Sequence, residues 1–142
     1  MKNEKLKITK LLPAFYFLLS IFLSGCGFDY YFNRGVNSKD QQKKIKYFSK
    51  AIEKWKESDG EKNKTNAYIN RGSSYGMLNI YDFAISDFNE ALKYNSNDPE
   101  LYYNRAIVYH QQGKIKNALS DVNAAIKLNP SFKEAYILRA DI

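Results

Sequence analysis

Cys26 and His110 are each the single copy of their type among the 142 residues, and each narrows what the chain can do chemically. One cysteine excludes an internal disulfide and any zinc site built on cysteine pairs. His110 has no second histidine, and the nearest candidate carboxylate, Glu100, stands two to three helical turns away along the sequence. No glycine-rich phosphate loop and no nucleophile motif occurs. The expectation is a chain with no catalytic residue, no metal and no cofactor. Cys26 has a different context. It follows Leu23-Ser24-Gly25 and an apolar run, Leu11 to Leu23, that is preceded by Lys2, Lys5, Lys7 and Lys10. That order is a charged region, an apolar region and small residues at a cleavage point. As a helix the run would rise about 20 Å, short of the roughly 30 Å hydrocarbon core, so a permanent membrane span is the weaker reading.

Two polar residue types recur in register. Asn33, Asn70 and Asn104 occupy one position, and Arg34, Arg71, Arg105 and Arg139 occupy the next. The asparagines are either a ladder of amides for the backbone of an extended ligand or a solvated part of the pattern. The arginines are either a basic row for an acidic partner or apolar stems whose heads pair with Asp87 and Asp121. Asp87 and Asp121 share the 34-residue spacing of the arginines, which favours internal pairing.

The elements that must position these residues follow from the same spacing. Tyr68–Gly72 (YINRG) recurs as Tyr102–Ala106 and Tyr136–Ala140, each 34 residues on, and Tyr31–Gly35 is a copy 37 residues before. Ala84, Phe88 and Ala91 are matched by Ala118, Val122 and Ala125. Within a unit, Tyr68, Ile69, Gly72, Tyr75 and Leu78 fall at helical steps, which predicts a helix over 66–78. Ala84, Ile85, Phe88, Ala91 and Leu92 predict a second over 81–94. Asn79 and Gly113 stand at the turn between helices, where a left-handed residue closes the first one. Asp98 is read as a cap with Pro99 at the first helical position, and Ser131 with Glu134 as a capping box. Gly72 and Ala106 are read as close-approach points between the paired helices. Trp55 is read as the packed end of the first hairpin, and Phe28–Lys44 as a tether in part, because Gly35, Asn37, Ser38, Lys39 and Asp40 form turns. The net charge of +7 is spread along the chain rather than gathered in a stripe, so no nucleic-acid partner is expected.

Leu23-Ser24-Gly25-Cys26 resembles the lipobox of bacterial lipoproteins. The resemblance implies a signal peptide over 1–25, removed before Cys26, a diacylglycerol on the Cys26 sulfur, and a lipidated N-terminus and tether over 26–30. It implies a lipid anchor at the bacterial cell envelope: the outer membrane where two membranes exist, since no acidic residue follows Cys26 directly, and the plasma membrane otherwise. Two or more acyl chains hold stably where one is marginal.

The paired-helix units resemble the tetratricopeptide repeat family, on Tyr68, Gly72, Tyr75, Ala84, Phe88 and Ala91 in one unit and Tyr102, Ala106, Tyr109, Gly113, Ala118, Val122, Ala125 and Pro130 in the next. This implies an all-α fold, a short right-handed α-solenoid of antiparallel helix pairs. Its expected divisions are a degenerate first repeat with a polar insert over 31–64, repeats over 65–98 and 99–132, and a partial repeat or capping helix over 133–142. For the last segment three readings stand: a cap, a partner-binding face, or a sequence that continues. The family's first helices line a concave groove for a peptide or partner helix. Carried over, the groove residues are Asn66, Ile69, Asn70, Ser73 and Met77, then Glu100, Tyr103, Asn104, Ile107 and Gln111, with His110 at or near that surface. Some members clamp a partner's terminal carboxylates with basic residues, and Glu100 and Phe32 stand where that clamp needs them. The function implied is a lipid-anchored, non-catalytic adaptor for a peptide or protein partner; the alternative is a structural or surface-exposed envelope lipoprotein that self-associates.

Overall fold

The computed structural model describes residues 27–142. Cys26, the apolar run before it and the whole of 1–25 lie outside the described residues. Seven α-helices follow one another, with no strand among the described residues: α1 (Phe28–Asn37), α2 (Gln41–Lys54), α3 (Glu61–Met77), α4 (Tyr81–Tyr94), α5 (Pro99–Gln111), α6 (Ile115–Leu128) and α7 (Lys133–Asp141). Each packs on the helix before and the helix after it, and α3 also touches α5. This is the expected all-α solenoid of antiparallel helix pairs, in which neighbours supply each other's buried face.

The core is written by the small and large residues of the repeat. Ala51, Ala91 and Ala125 are all fully buried, and each lies three residues beyond a buried large side chain, Phe48, Phe88 or Val122. Alanine lets the next helix approach, and the large residue fills the space this leaves. Gly72 serves the same end: a Cβ there would lie 3.1 Å from Asp87 Cβ and 3.3 Å from the Ala84 carbonyl oxygen. The inner turns are identical in two residue types. Asn79 (φ 60°) and Gly113 (φ 75°) are left-handed. In both turns the following amide bonds back to a tyrosine carbonyl: Ile80 to Tyr75 at 2.9 Å and Lys114 to Tyr109 at 2.8 Å. These bonds satisfy carbonyls that the helix ends leave open.

Three expectations are corrected. The tract from Phe28 is helical from its first residue, and Phe28 is a core residue, 3% exposed and stacked on Phe32 at 5.3 Å. Only Ser38–Asp40 is loop before α2, with the Asp40 carboxylate accepting from the Lys43 amide at 2.8 Å. The polar stretch after Ser58 is a short 3-10 turn (Glu57–Asp59) and then the first turn of α3, so α3 starts at Glu61 rather than Asn66. Ser131 and Glu134 form no capping box. Phe132, whose side chain has no polar atom to offer, takes the cap position with its ring packed on Tyr103 at 4.9 Å, and the Ser131 hydroxyl turns back to Asn129 Oδ1 at 2.8 Å. Asp98 does cap α5, accepting from the Glu100 amide at 2.9 Å. Trp55 does close the first hairpin, its Nε1 donating to the Gly60 carbonyl at 3.0 Å under the Lys64 ammonium.

Candidate functional site

The first helices α3 and α5 run side by side, and the space between their exposed faces is set by Gly76. A Cβ at Gly76 would stand 3.3 Å from Val108 Cγ2, so glycine here lets the two helices close up. Above that contact lies a hollow of about 270 Å³, floored by Gly76, Phe88 and Val108. Five expected groove residues rim it: Ser73 and Met77 from α3, Asn104, Ile107 and Gln111 from α5. Met77 is 68% exposed at the mouth. A flexible thioether beside a branched aliphatic and two amides offers an adaptable apolar wall with hydrogen-bond partners at its edge. The Ser73 hydroxyl donates to the Ile69 carbonyl of its own helix at 2.8 Å, which leaves its oxygen as an acceptor.

The remaining expected residues are placed elsewhere. Asn66 and Ile69 line a second hollow, near the start of α3, with Thr65, Tyr94 and Asp98. Asn70 donates to the Asn66 carbonyl at 2.7 Å, so its amide nitrogen is tied to α3. Tyr103 belongs to the α5–α7 contact, against Phe132 and beside Ile137 and Leu138. Glu100 is exposed on the first turn of α5, and His110 is half-buried on its last. Of the three asparagines, Asn104 alone reaches the α3–α5 hollow. Phe32, one of the two clamp positions, is half-buried and packs against the first hairpin's core, between Phe28 and Phe48. Gly76, Phe88 and Val108 were not foreseen as site residues. Phe88 read from sequence as interior, and Val108 was not singled out. Gly76, one turn beyond Gly72 on the same helix, was the available sign of a second close approach.

Two of the four recurring arginines, Arg71 and Arg105, form internal ion pairs. Arg71 donates through Nε and Nη2 to both Asp87 oxygens, at 2.8 and 2.7 Å, and through Nη1 to Ser49 Oγ at 3.0 Å. Arg105 repeats this on Asp121, at 2.7 and 2.8 Å, and its third arm reaches Asn89. Arg139 reaches Asn123 at 3.1 Å. Burial lowers the Arg71 guanidinium, yet the Asp87 carboxylate more than offsets this and leaves it above its ordinary value. Burial pushes Asp87 above the usual carboxylate range, with Arg71 holding it back in part. The bidentate geometry is that of an ionised pair, stitching α2, α3 and α4 together. Among the described residues, no group of three or more histidine, cysteine or acidic side chains is placed to hold a metal, and no helix is long and apolar enough to cross a membrane.

Comparison with known proteins agrees with this architecture. Residues 72–113 match the TPR repeat profile and residues 99–132 the tetratricopeptide repeat profile. No curated protein matches the chain. Among solved structures, the Arabidopsis OM64 TPR domain is similar at 19% identity and TM-score 0.70, over 80% of this chain and 92% of that one. YrrB, described as a TPR protein with an unusual peptide-binding site, is similar at 20% identity and TM-score 0.71, over 80% of this chain and 57% of its own length. The first TPR of Spaghetti (RPAP3), bound to the HSP90 peptide SRMEEVD, is similar at 23% identity and TM-score 0.62, over 80% of this chain and 82% of that one.

Proposed function

We propose, from the premise that residues 72–132 carry tetratricopeptide repeats, that the chain is a non-catalytic adaptor that holds a peptide or protein segment between α3 and α5. The observation that carries this reading is the α3–α5 hollow: an apolar floor, an exposed Met77 on its rim, and Asn104 and Gln111 at the edge. An extended segment needs such an apolar slot for one side chain and edge amides for its backbone. Structural neighbours described as holding peptides support it at the level of the fold. The adaptor is tethered to a bacterial envelope membrane by lipid on Cys26; the order of lysines, apolar run and Leu23-Ser24-Gly25-Cys26 supports this.

Peptide-library selection against the full chain in maltoside micelles tests the groove. Enriched peptides should lose at least about tenfold in affinity on Ile107→Glu and none on Lys133→Glu, a change on the exposed surface of α7 outside the hollow. Equal loss on both, or none on either, overturns the groove. Labelled palmitate should enter the wild-type chain in a bacterial host and be absent from Cys26→Ser; label on both or on neither overturns the anchor. Self-association is the second reading, favoured by Ile137, 63% exposed on α7 beside the exposed Tyr136. Light scattering that shows mass rising with concentration, abolished by Ile137→Lys, would select it.

A further inference from the structure

The first hairpin breaks the ion-pair pattern of the others at one position. Phe48, Phe88 and Val122 are equivalent buried residues of α2, α4 and α6, and the residue before each is Tyr47, Asp87 and Asp121. Arg34 precedes Gly35 as Arg71 precedes Gly72, so Arg34 faces Tyr47 where its counterparts face a carboxylate. The guanidinium lies 5.2 Å over the Tyr47 ring and 5.6 Å over Tyr30, and Nη1 donates to the Tyr30 hydroxyl at 3.2 Å. Among the described residues Arg34 forms no salt bridge, whereas Arg71 and Arg105 each grip an aspartate. Arg34 lines a hollow of about 520 Å³ together with Lys43, Asn33, Tyr30 and Tyr47, and its guanidinium has donors to spare beyond the two tyrosines.

The surroundings match in sign. From Arg34 to Lys50 the hairpin carries Arg34, Lys39, Lys43, Lys44, Lys46 and Lys50 against one acid, Asp40, whose carboxylate is engaged with the Lys43 amide. The same stretch of the next hairpin, Arg71 to Glu90, has one cation against Asp82, Asp87 and Glu90. We propose that this hollow is an anion site in which the Arg34 fork and the Lys43 ammonium receive a phosphate ester, with the Tyr30 and Tyr47 rings holding the guanidinium in place. A planar fork beside a point charge suits a phosphate, which offers several oxygens at once. The site stands on α1 and α2 alone. The choice of a lipid headgroup as its source rests on the proposed Cys26 anchor: Arg34 lies six residues into α1, about 9 Å along the axis from Phe28, and the headgroup layer is of similar depth, roughly 5–8 Å on each side.

The experiment measures glycerol 3-phosphate binding by calorimetry, at low salt, to the full chain in maltoside micelles. Saturable binding is expected, weakened at least about tenfold in Arg34→Gln. Tyr47→Asp should weaken it as much, since it installs the carboxylate that Asp87 and Asp121 provide and so occupies Arg34 internally. Lys133→Gln should leave binding unchanged. Phosphatidylglycerol added to the micelles, but not phosphatidylcholine, competes if the source is a lipid headgroup. Absence of competition keeps the site and assigns it to a soluble phosphate ester, whatever the palmitate result. Should circular dichroism show that Tyr47→Asp loses helix, Arg34→Gln decides. No saturable binding, or binding unaltered in both variants, overturns the proposal.

Discussion

Arg71 and Asp87 face each other across the α3–α4 pair in a two-armed ion pair whose copy, Arg105–Asp121, stands one repeat later. In both, the arginine side chain is under one-fifth exposed and the aspartate under one-tenth. Water therefore screens these pairs far less than the surface contact Lys93–Glu90. The third arm of each arginine reaches back to the preceding second helix, to Ser49 or Asn89. One side chain thus joins three helices, and the pairing sets how successive repeats seat on one another.

Removing one partner should cost more than removing both. Arg71→Met leaves Asp87 buried with an uncompensated charge, and a loss of about 3–5 kcal/mol is expected. The double variant Arg71→Met/Asp87→Leu should recover much of that loss, because apolar groups of similar size suit the site. Denaturant melts of the four chains give the coupling. Strictly additive losses would mean that the pair does not act as a unit.

The same pair fixes the sign of a pH effect. Burial raises Asp87 above its unfolded value despite Arg71. The folded chain therefore takes up this proton at higher pH than the unfolded chain does. The contribution is present in full below the unfolded value and is lost as pH rises through the folded one. The penalty of Asp87→Asn should accordingly be larger near pH 3 than near pH 7, where the ordinary carboxylate is fully ionised. Thermal melts of both chains across that range check it; a penalty that grows toward neutrality would contradict it.

Much of the architecture was legible because the repeat is written in residues with little freedom. Gly72 and the buried alanines admit only a close helix, and Asn79 and Gly113 both suit a left-handed turn. Arg71 and Asp87 share a period with Arg105 and Asp121, which announced their pairing. Where the period slips, so did the reading. The α1–α2 hairpin is three residues shorter than α3–α4 between the arginine and the buried aromatic, and that shift hid the equivalence of Tyr47 with Asp87. The groove was legible only in part, because its residues spread over more than one level of the solenoid. Asn66 and Ile69 sit on the first half of α3, a turn or more from Ser73 and Met77, and Tyr103 is covered by Phe132. Side-chain packing of that kind carries no mark in the spacing.

Two glycines at equivalent positions should respond unequally to alanine. At Gly35 an added Cβ would lie 2.6 Å from Phe48 Cε1, and Phe48 is 1% exposed, so its ring has nowhere to move. At Gly72 the nearest atom is Asp87 Cβ at 3.1 Å, and the next repeat already places Ala106 there. Gly35→Ala should cost about 1–3 kcal/mol by overpacking, and Gly72→Ala less. The helix propensity of alanine offsets part of both losses, by up to about 1 kcal/mol. Urea midpoints of the two variants test the order, and a reversal would mean that Phe48 has room the structure denies it.

The groove also predicts which peptides it refuses. The neighbour RPAP3 domain is bound to a peptide ending in EEVD, whose terminal acids call for cationic side chains. Here Glu100 is exposed at the start of α5, its amide bonded to Asp98, and Phe32 is a half-buried phenylalanine packed between two aromatic rings, so neither clamp position offers a cation. A peptide ending in EEVD should therefore bind no tighter with a free C-terminal carboxylate than with an amide. Glu100→Lys should favour the free acid by a few-fold, the size of a partly screened charge contact of about 0.5–1 kcal/mol. Fluorescence anisotropy with the two labelled peptides reads both effects. A preference for the free acid in the wild-type chain would mean that cations outside the α3–α5 hollow take part in ligand capture, with those of α1 and α2 the first to be substituted.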